Sequence, residues 1–356
     1  MKITSIEIIP VGVEMGFSYG ELASVPAVVA RVETDEGIDG LGHAFTLSGR
    51  GTKSLVAATR ELAEIIVGED PRRTERVHRR LLPDGQGFGG VGNVAAAVLD
   101  IGVWDLAAKA AGLPLYGLLG GHRDRIPAYA SLRLGRNLPI GELQEVAAGL
   151  VAQGFTAMKM NLGAESSPAG EVARVRAVRE AIGTDVRLLA DVNLRWTPAQ
   201  AVRIGHLIDE FGLFWLEDPV PTQNLAGLAE VRRAIDTPIA NGETLFSAGA
   251  FRALFEARAV DIPMPDLPRV GGITPFMKIA HMAEAFGLPL ACHLLPEISA
   301  HAVAAVPNGL IVEYVPWGWQ LFRNGPELQD GELVLGDRPG HGLELDGDFV
   351  KHHRLD

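Results

Sequence analysis

Three acidic residues in the second half of the chain end strand-like apolar runs at a constant spacing. Asp191 follows RLLA, Glu217 follows FWL and Glu243 follows PIANG, so successive carboxylates stand 26 residues apart. A strand, a loop, a helix and another loop take up about this length. If the runs are parallel strands that close into a barrel, the side chains at their carboxyl ends gather at one end of it. The spacing therefore predicts a single acidic site built from successive βα units.

The chemistry of these side chains favours a metal ion. Three buried like charges cannot coexist without a cation or protons. Oxygen ligands without cysteine or histidine favour a hard ion, Mg²⁺ before Mn²⁺ or Ca²⁺. The alternative for any one carboxylate is that it caps a helix or pairs with an arginine, but three at equal spacing favour the metal. We expect Asn193 just outside the metal shell, and a turn-forming role fits it equally well.

Four further apolar runs end in Lys159, Asp266, His293 and Glu313. An aspartate beside a histidine fixes its tautomer and raises its basicity. A lone strand histidine is more commonly a core residue, but with Asp266 at the end of the preceding strand His293 is predicted to be a general base.

The elements that must position these residues fall into two parts. Residues 1–50 predict antiparallel strands, 52–82 predict helix with a helix start at Asp70 and Pro71, and 91–111 predict an apolar helix that ends before Gly112. From about residue 126, strand-like runs alternate with amphipathic segments, which indicates βα units and a parallel sheet. This alternation stops after Glu313, and residues 317–356 predict turns and short strands that return to the N-terminal part.

Composition excludes several classes of protein. The 356-residue chain is 47% hydrophobic, which suits a large core, and its net charge of −12 argues against binding nucleic acid. The single cysteine, Cys292, excludes an internal disulfide and fits a reducing compartment. The first residues lack the apolar core of a signal peptide, and the chain has no uncharged apolar stretch of 18 residues. We therefore expect a cytoplasmic protein that does not span a membrane.

Eight motifs in order carry a family resemblance. They are LDIGVWDLAAKAAGLPLYGLLGG (99–121), GFTAMKMNLG (154–163), ADVN with WTPAQA (190–201), WLEDP (215–219), NGET (241–244), PDLPRVGGIT (265–274), CHLLPEISAH (292–301) and IVEY (311–314). With these motifs the chain resembles the enolase superfamily, and within its mandelate racemase and muconate lactonizing enzyme family the mandelate racemase subgroup. The likeness covers essentially the whole chain.

The resemblance implies an α/β fold, a modified TIM barrel of the (β/α)₇β type over residues 123–317. An N-terminal α+β capping domain, residues 1–122, would be completed by residues 318–356. It also implies a homo-oligomer, a dimer or an octamer. By the same resemblance, the site is expected to use a lysine or histidine base with bound Mg²⁺.

The resemblance further assigns roles to individual residues. It implies that Asp191, Glu217 and Glu243 hold Mg²⁺, with Mn²⁺ as the alternative ion, and that the metal stabilises the enediolate formed when a proton leaves the carbon next to a substrate carboxylate. The His293–Asp266 pair is one base. Lys159 neutralises the substrate carboxylate, with a buried ion pair to Asp191 as a compatible alternative. Glu313 donates a hydrogen bond to that carboxylate as a protonated acid, with a salt bridge as its alternative.

One departure from the family pattern restricts the reaction. The family usually has a Lys-x-Lys pair whose second lysine is the base on the opposite face, but here the sequence is Lys159-Met160-Asn161. Asparagine cannot accept a proton at working pH, and loss of a general base costs about 10²–10⁴ in rate. The most favoured function is dehydration of an acid sugar by the His293–Asp266 pair. The alternatives are a racemase, epimerase or cycloisomerase acting on a hydroxy acid or lactone, and a metal-binding scaffold without catalysis.

A further set of residues is predicted to contact the substrate. Tyr129 and Ser131 match positions that face substrate in mandelate racemase. Arg133 would bind a distal carboxylate in a bidentate manner, and a surface role fits it equally well. Loops near residues 17–21 and 43–53 are predicted to close the pocket from the capping domain, with Tyr19 and His43 as polar contacts. Asn161 and Asn193 complete the predicted substrate-binding set.

Overall fold

The computed structural model describes residues 1–19, 22–46, 49–83 and 90–355, with the backbone alone at residues 16–19, 22 and 23. Residues 17–19 of the predicted loop belong to the first strand, whereas residues 20 and 21 and the side chain of Tyr19 lie outside the described residues.

The N-terminal part is a three-stranded antiparallel sheet covered by helices. Its strands, in the order β1-β2-β3, are β1 (Ile3–Tyr19), β2 (Leu22–Thr34) and β3 (Asp39–Phe45). Its helices are α1 (Thr52–Ile66), α2 (Thr74–Leu81) and α3 (Gly90–Ala111). α3 lies so close to β3 that a Cβ atom at Gly40 or Gly42 would overlap the helix backbone. This close approach explains why glycine is required there.

The predicted end of α3 is confirmed, and the predicted start of α2 is wrong. Gly112 follows α3 with φ of +67°, as a helix-ending glycine does. Asp70 does not cap a helix that starts at Pro71. Its carboxylate instead accepts hydrogen bonds from the backbone and the side chain of Arg72, and α2 begins at Thr74. An aspartate can bond to the backbone of its own turn, and at Asp70 these local bonds form in place of a helix cap.

The second part is a barrel of eight parallel strands. After α4 (Leu115–Leu119), the barrel strands are β4 (Arg125–Leu134), β5 (Ala157–Asn161), β6 (Arg187–Asp191), β7 (Trp215–Glu217), β8 (Ile239–Asn241), β9 (Ile262–Pro263), β10 (Leu290–Ala291) and β11 (Gly309–Tyr314). Each strand pairs in parallel with the next, and β11 pairs with β4. A parallel bridge between Asp266 and His293 joins β9 to β10 and closes the ring.

Seven connections between the eight strands contain helices, so the (β/α)₇β barrel is confirmed. These helices are α5 (Ile140–Ala152), α6 (Pro168–Ile182), α7 (Pro198–Ile208), α8 (Leu225–Ala234), α9 (Ala248–Glu256), α10 (Leu267–Val270), α11 (Ile273–Ala285) and α12 (Pro296–Ala304), with α10 and α11 in the same connection. Pro168 and Pro198 occupy the first turns of α6 and α7, behind the N-caps Ser167 and Thr197.

The C-terminal segment contacts both parts of the molecule. Its strands β12 (Glu327–Gln329) and β13 (Glu332–Val334) form a hairpin, and β13 pairs antiparallel with the barrel strand β4. Its helix α13 (Gly347–His353) is followed by Leu355, whose amide donates to Pro10 O on β1 at 2.9 Å. The assignment of this segment to the capping domain stays a prediction.

Of the helices in the described residues, only α3 is long and apolar enough to cross a membrane by length and composition. Some 78% of its most apolar stretch is buried inside the protein, as in a core helix.

Candidate active site

The barrel strands bring the predicted carboxylates to one edge. Asp191 ends β6 and Glu217 ends β7, and the two residues are register partners in the parallel ladder. Glu243 lies two residues beyond β8, after Gly242 with φ of +133°. Asp191 and Glu217 are buried, and Asp191 and Glu243 line a cavity of about 130 Å³ at the carboxyl end of the barrel.

Lys159 lies among these carboxylates. Its Nζ is 2.7 Å from Glu217 Oε1, 3.0 Å from Glu313 Oε1 and 3.6 Å from Asp191 Oδ2. Burial acts to lower the pKa of Lys159, but the surrounding carboxylates raise it well above its usual value. Lys159 is therefore a fixed positive charge and not a proton acceptor.

One lysine does not neutralise the cluster. Burial is the main cause that raises the pKa of Asp191, and it raises the pKa of Glu217 to about 8. Such shifts indicate buried carboxylates that still lack positive charge. Within the described residues, no three acidic, histidine or cysteine side chains lie in an arrangement that could hold a metal ion as they stand. Glu217 also accepts a hydrogen bond from Trp215 Nε1 (3.0 Å), and the carboxylate of Glu243 faces Nε2 of His293. An all-oxygen set that is short of positive charge nevertheless fits a hard divalent cation.

The predicted histidine–aspartate pair is present. His293 Nδ1 is 2.7 Å from Asp266 Oδ2, and Nε2 is 3.2 Å from Glu243 Oε2. The bond at Nδ1 orients the ring so that Nε2 faces the cavity, the arrangement a general base needs. Burial acts to lower the pKa of His293, but Glu243, Asp266 and Glu313 raise it to about 9.

The turn that carries His293 is strained and is held by side chains. Leu294 and Leu295 both have φ of +52°, a region that residues with a Cβ rarely adopt. Glu313 Oε2 accepts from Leu294 N at 2.8 Å, and Ser299 Oγ donates to Leu294 O at 2.9 Å. Strain of this kind persists only where neighbouring groups fix it, and it clusters at functional sites.

The surroundings of Glu313 favour its ionised form, and its role as a protonated acid toward bound substrate stays a prediction. Burial acts to raise the pKa of Glu313. The positive charges of Lys159 and His293 and the hydrogen bonds from Ser131 and Leu294 outweigh burial and lower the pKa to about 2. The salt bridge to Lys159, the alternative for this residue, is the contact observed.

The side of the cluster around Asp191 carries amides. Asn193, with φ of +48°, donates from its backbone N and from Nδ2 to the two oxygens of Asp191, both at 2.7 Å. Asn161 Nδ2 is 3.4 Å from Asp191 Oδ2 and 3.3 Å from Asn193 Oδ1, which also accepts from Arg136. Asn161 thus lies beside the carboxylate cluster as a hydrogen-bond donor, where the family pattern has a second lysine.

Three predicted substrate contacts lie elsewhere. Tyr129 is fully buried below Lys159, with its ring against Trp215, so it is part of the barrel core. Arg133 is exposed and lines a neighbouring cavity, because Leu132 has φ of +61° and interrupts the alternation of β4. His43 is 1% exposed and bonds to Glu297 at the interface of the two parts. Ser131 reaches the site through its bond to Glu313 Oε1 at 2.6 Å.

Sequence reasoning missed several residues of the cavity. Arg269 lines it from α10, and Met15, Leu132, Leu294 and Trp317 form its apolar wall. Arg269 lies inside the motif PDLPRVGGIT, three residues after Asp266. This spacing, typical of the first turn of a helix behind an aspartate cap, could have placed Arg269 near the site. The apolar residues come from distant segments and carry no pattern of their own.

The fold and this site define a class of protein. Residues 4–120 match the N-terminal domain of mandelate racemase / muconate lactonizing enzymes, and residues 142–349 match the enolase C-terminal domain-like family. The chain belongs to the mandelate racemase / muconate lactonizing enzyme family of the enolase superfamily.

Among its relatives, the chain is 34% identical to an L-talarate/galactarate dehydratase of Salmonella typhimurium, over 91% of this chain and 81% of the relative. It is 31% identical to a 3,6-anhydro-alpha-L-galactonate cycloisomerase of Streptomyces coelicolor, over 92% and 91%. The crystal structure of an L-talarate dehydratase from Polaromonas sp. JS666, complexed with Mg and L-glucarate, superposes with a TM-score of 0.93 at 36% identity, over 100% of this chain and 98% of the other.

Proposed function

We propose that this protein is a Mg²⁺-dependent dehydratase of acid sugars. The observation that carries the proposal is the 2.7 Å bond between His293 Nδ1 and Asp266 Oδ2, which aims Nε2 into a cavity bordered by a carboxylate cluster. Two of the relatives are dehydratases named for sugar diacids, which supports the same substrate class.

Asp191, Glu217 and Glu243 would hold Mg²⁺, since they are the acidic residues at the ends of three adjacent strands. A divalent cation bound there supplies positive charge that neutralises these ligands and stabilises the negative charge developing on the substrate carboxylate.

Lys159 binds the substrate carboxylate and stays protonated. Its Nζ is already surrounded by oxygens of Glu217, Glu313 and Asp191, so its position is fixed before substrate arrives. A preorganised charge needs no rearrangement as charge develops on the substrate.

His293 carries out both proton transfers. Mg²⁺ held by Glu243 would offset the carboxylate charge that raises the pKa of His293. The neutral Nε2 then takes the α-proton, and the electron pair of the C–H bond moves toward the carboxylate. The same pair then forms the α–β double bond as the bond from the β-carbon to its hydroxyl oxygen breaks. Nε2 returns the proton to the leaving oxygen, so that water departs and an enol remains, which becomes the 2-keto-3-deoxy acid. Asp266 keeps Nδ1 protonated throughout.

A second candidate is cycloisomerisation of a sugar-derived acid. The 31% identical cycloisomerase relative favours it, and it too needs only one base. Racemisation is disfavoured, because Asn161 offers no proton acceptor where the family pattern has its second base.

The purified protein with Mg²⁺ should be screened against a stereochemically complete library of mono- and diacid sugars. A dehydratase yields a keto acid that semicarbazide detects. The His293→Asn and Asp266→Asn variants should lose this product while their circular dichroism stays unchanged. Proton exchange in deuterated water without keto acid would overturn the dehydratase in favour of the cycloisomerase. Full activity of His293→Asn would overturn the assigned base.

We also propose a cytoplasmic homo-oligomer, a dimer or an octamer. The buried free thiol of Cys292 is consistent with a reducing compartment, and the exposed rings of Phe246 and Phe286 suit a subunit contact. Light scattering tests the oligomer, and cell fractionation tests the location. A monomer, or recovery outside the cytoplasm, would contradict the respective part.

A further inference from the structure

Arg269 joins the two halves of the site. It lies on α10, between the strand end that carries Asp266 and the start of α11. Its side chain is 24% exposed and lines the cavity together with Glu243 and His293.

The guanidinium of Arg269 holds the third predicted metal ligand. Its Nη1 donates to Glu243 O at 2.8 Å and lies 3.4 Å from Glu243 Oε1. Glu243 stands outside the strand ladder, after a glycine with positive φ, so β8 does not fix its position. Arg269 therefore fixes both the backbone and the carboxylate of Glu243.

The same residue also holds the partner of the base. Arg269 N donates to Asp266 Oδ1 at 2.7 Å, and its Nε lies 3.8 Å from Asp266 Oδ2. Asp266 Oδ2 is the atom that contacts His293 Nδ1. Oδ1 of Asp266 is thus bound by the backbone amide of Arg269, and Oδ2, which orients the imidazole, lies near the guanidinium charge.

A third contact fixes the backbone of Arg269 itself. Asn93 Nδ2, on α3 of the N-terminal part, donates to Arg269 O at 3.0 Å and to Phe246 O at 2.7 Å. The guanidinium therefore extends toward the cavity from a backbone that is tied to the opposite part of the molecule.

We propose that Arg269 is a positioning residue that holds Glu243 through Nη1 and the Asp266–His293 pair through its backbone amide and the charge of the nearby Nε, so that metal binding and proton abstraction depend on the same residue. The catalytic half of this inference rests on the proposed function, and the metal half does not. Arginine suits the task because its planar fork makes several bonds in fixed directions, whereas lysine offers a single flexible charge.

The test compares Arg269→Met and Arg269→Lys with the unaltered protein. Arg252→Met is the matched control, because Arg252 pairs with Glu256 on the surface of α9 and its loss removes the same charge. Calorimetric titration of Mg²⁺ into each protein without substrate gives a readout independent of activity. Outer groups that orient metal ligands are worth about 10–100-fold in metal affinity or activity.

We expect Arg269→Met to bind Mg²⁺ about 10–100-fold more weakly and to lose kcat at saturating metal, and Arg269→Lys to recover part of the metal affinity but little of kcat. Arg252→Met should match the unaltered protein in both. Unchanged Mg²⁺ affinity and unchanged kcat in Arg269→Met would overturn the proposal. If Arg269→Met does not fold, Arg269→Lys decides: full Mg²⁺ affinity with full kcat overturns the proposal. Weakened Mg²⁺ binding in a protein that dehydrates no acid sugar would support the metal half of the proposal and reject the proposed function.

Discussion

His43 Nε2 lies 2.7 Å from Glu297 Oε1, and both side chains are 1% exposed. The first residue is on β3 of the N-terminal part, and the second is in the first turn of α12 in the barrel. Two aromatic rings, Phe45 and Phe322, surround the imidazole at centroid distances of 5.6 and 5.1 Å. A polar pair in so apolar a setting fixes how the two parts dock, because separating them would leave both groups without partners.

Glu297→Ala should therefore destabilise the protein by about 1–3 kcal/mol, the usual cost of leaving a buried polar group unsatisfied. Glu297→Gln should lose less, because the amide oxygen can accept the same hydrogen bond from the ring. Urea denaturation of the three proteins at neutral pH measures the difference. Equal midpoints for Glu297→Ala and the unaltered protein would show that the pair contributes nothing net.

The Mg²⁺ site predicts a metal-dependent stability. A ligand that binds only the folded state adds about 2.7 kcal/mol at 100 times its dissociation constant. Mg²⁺ should accordingly raise the melting temperature of the unaltered protein, and chelation should reverse the rise. Glu217→Gln removes one carboxylate of the cluster and should show little or no rise. Glu230→Gln, an exposed change on α8, is the control and should respond like the unaltered protein. A full Mg²⁺ response in Glu217→Gln would exclude Glu217 as a ligand.

The absence of a second lysine predicts reaction on one face only. A substrate of one α-configuration, incubated with the protein in deuterated water, should yield no epimer, because Asn161 cannot return a proton from its side. Chiral chromatography of the recovered substrate checks this. The matched variant Asn161→Lys supplies an amine at the same position, and an epimer seen in that variant alone would establish which face Asn161 borders. Epimer formed by the unaltered protein at the rate of dehydration would mean that another base acts there.

Much of the fold could be predicted from the sequence, because parallel strands joined by helices produce apolar runs at regular spacing. Each of the seven apolar runs became a barrel strand, and the Asp266–His293 pair followed from their order. Arg133 shows where such reasoning fails. Arg133 and Ser131 line the same neighbouring cavity, and Leu132, with its left-handed backbone, is the residue of this segment that lines the cavity of Lys159 and His293. A leucine gives no sign in the sequence that its backbone will be left-handed.

The prediction of a substrate contact for His43 was wrong for a different reason. Its position near a predicted loop suggested a substrate contact, but its partner Glu297 is 254 residues away. A single sequence gives no means of pairing residues that far apart. Arg269 was likewise visible within a motif, but its bonds to Glu243 and Asp266 depend on how α10 is oriented. The residues at strand ends could thus be predicted, and the groups that hold them could not.

The buried ring of His301 predicts how stability depends on pH. It stacks on Tyr116 at a centroid distance of 6.0 Å, and burial lowers the pKa of His301 from 6.5 to about 3. Between these values the unfolded chain binds a proton that the folded protein excludes. The contribution of His301 to the free energy of unfolding is therefore fully present above pH 6.5. It is lost as the pH drops toward 3, by at most about 1.4 kcal/mol per pH unit for one such group. His341, whose pKa burial also lowers, adds to the same slope.

His301→Leu should flatten this dependence, because leucine has no proton to exclude. The free energy of unfolding, measured by urea titration at pH 7, 6 and 5, should fall less steeply in the variant, with the remaining slope due to His341 and other groups. His206→Gln is the control, since the side chain of His206 is 56% exposed and its removal should leave the slope unchanged. Identical slopes for His301→Leu and the unaltered protein would mean that His301 gains its proton in the folded state as readily as in the unfolded chain.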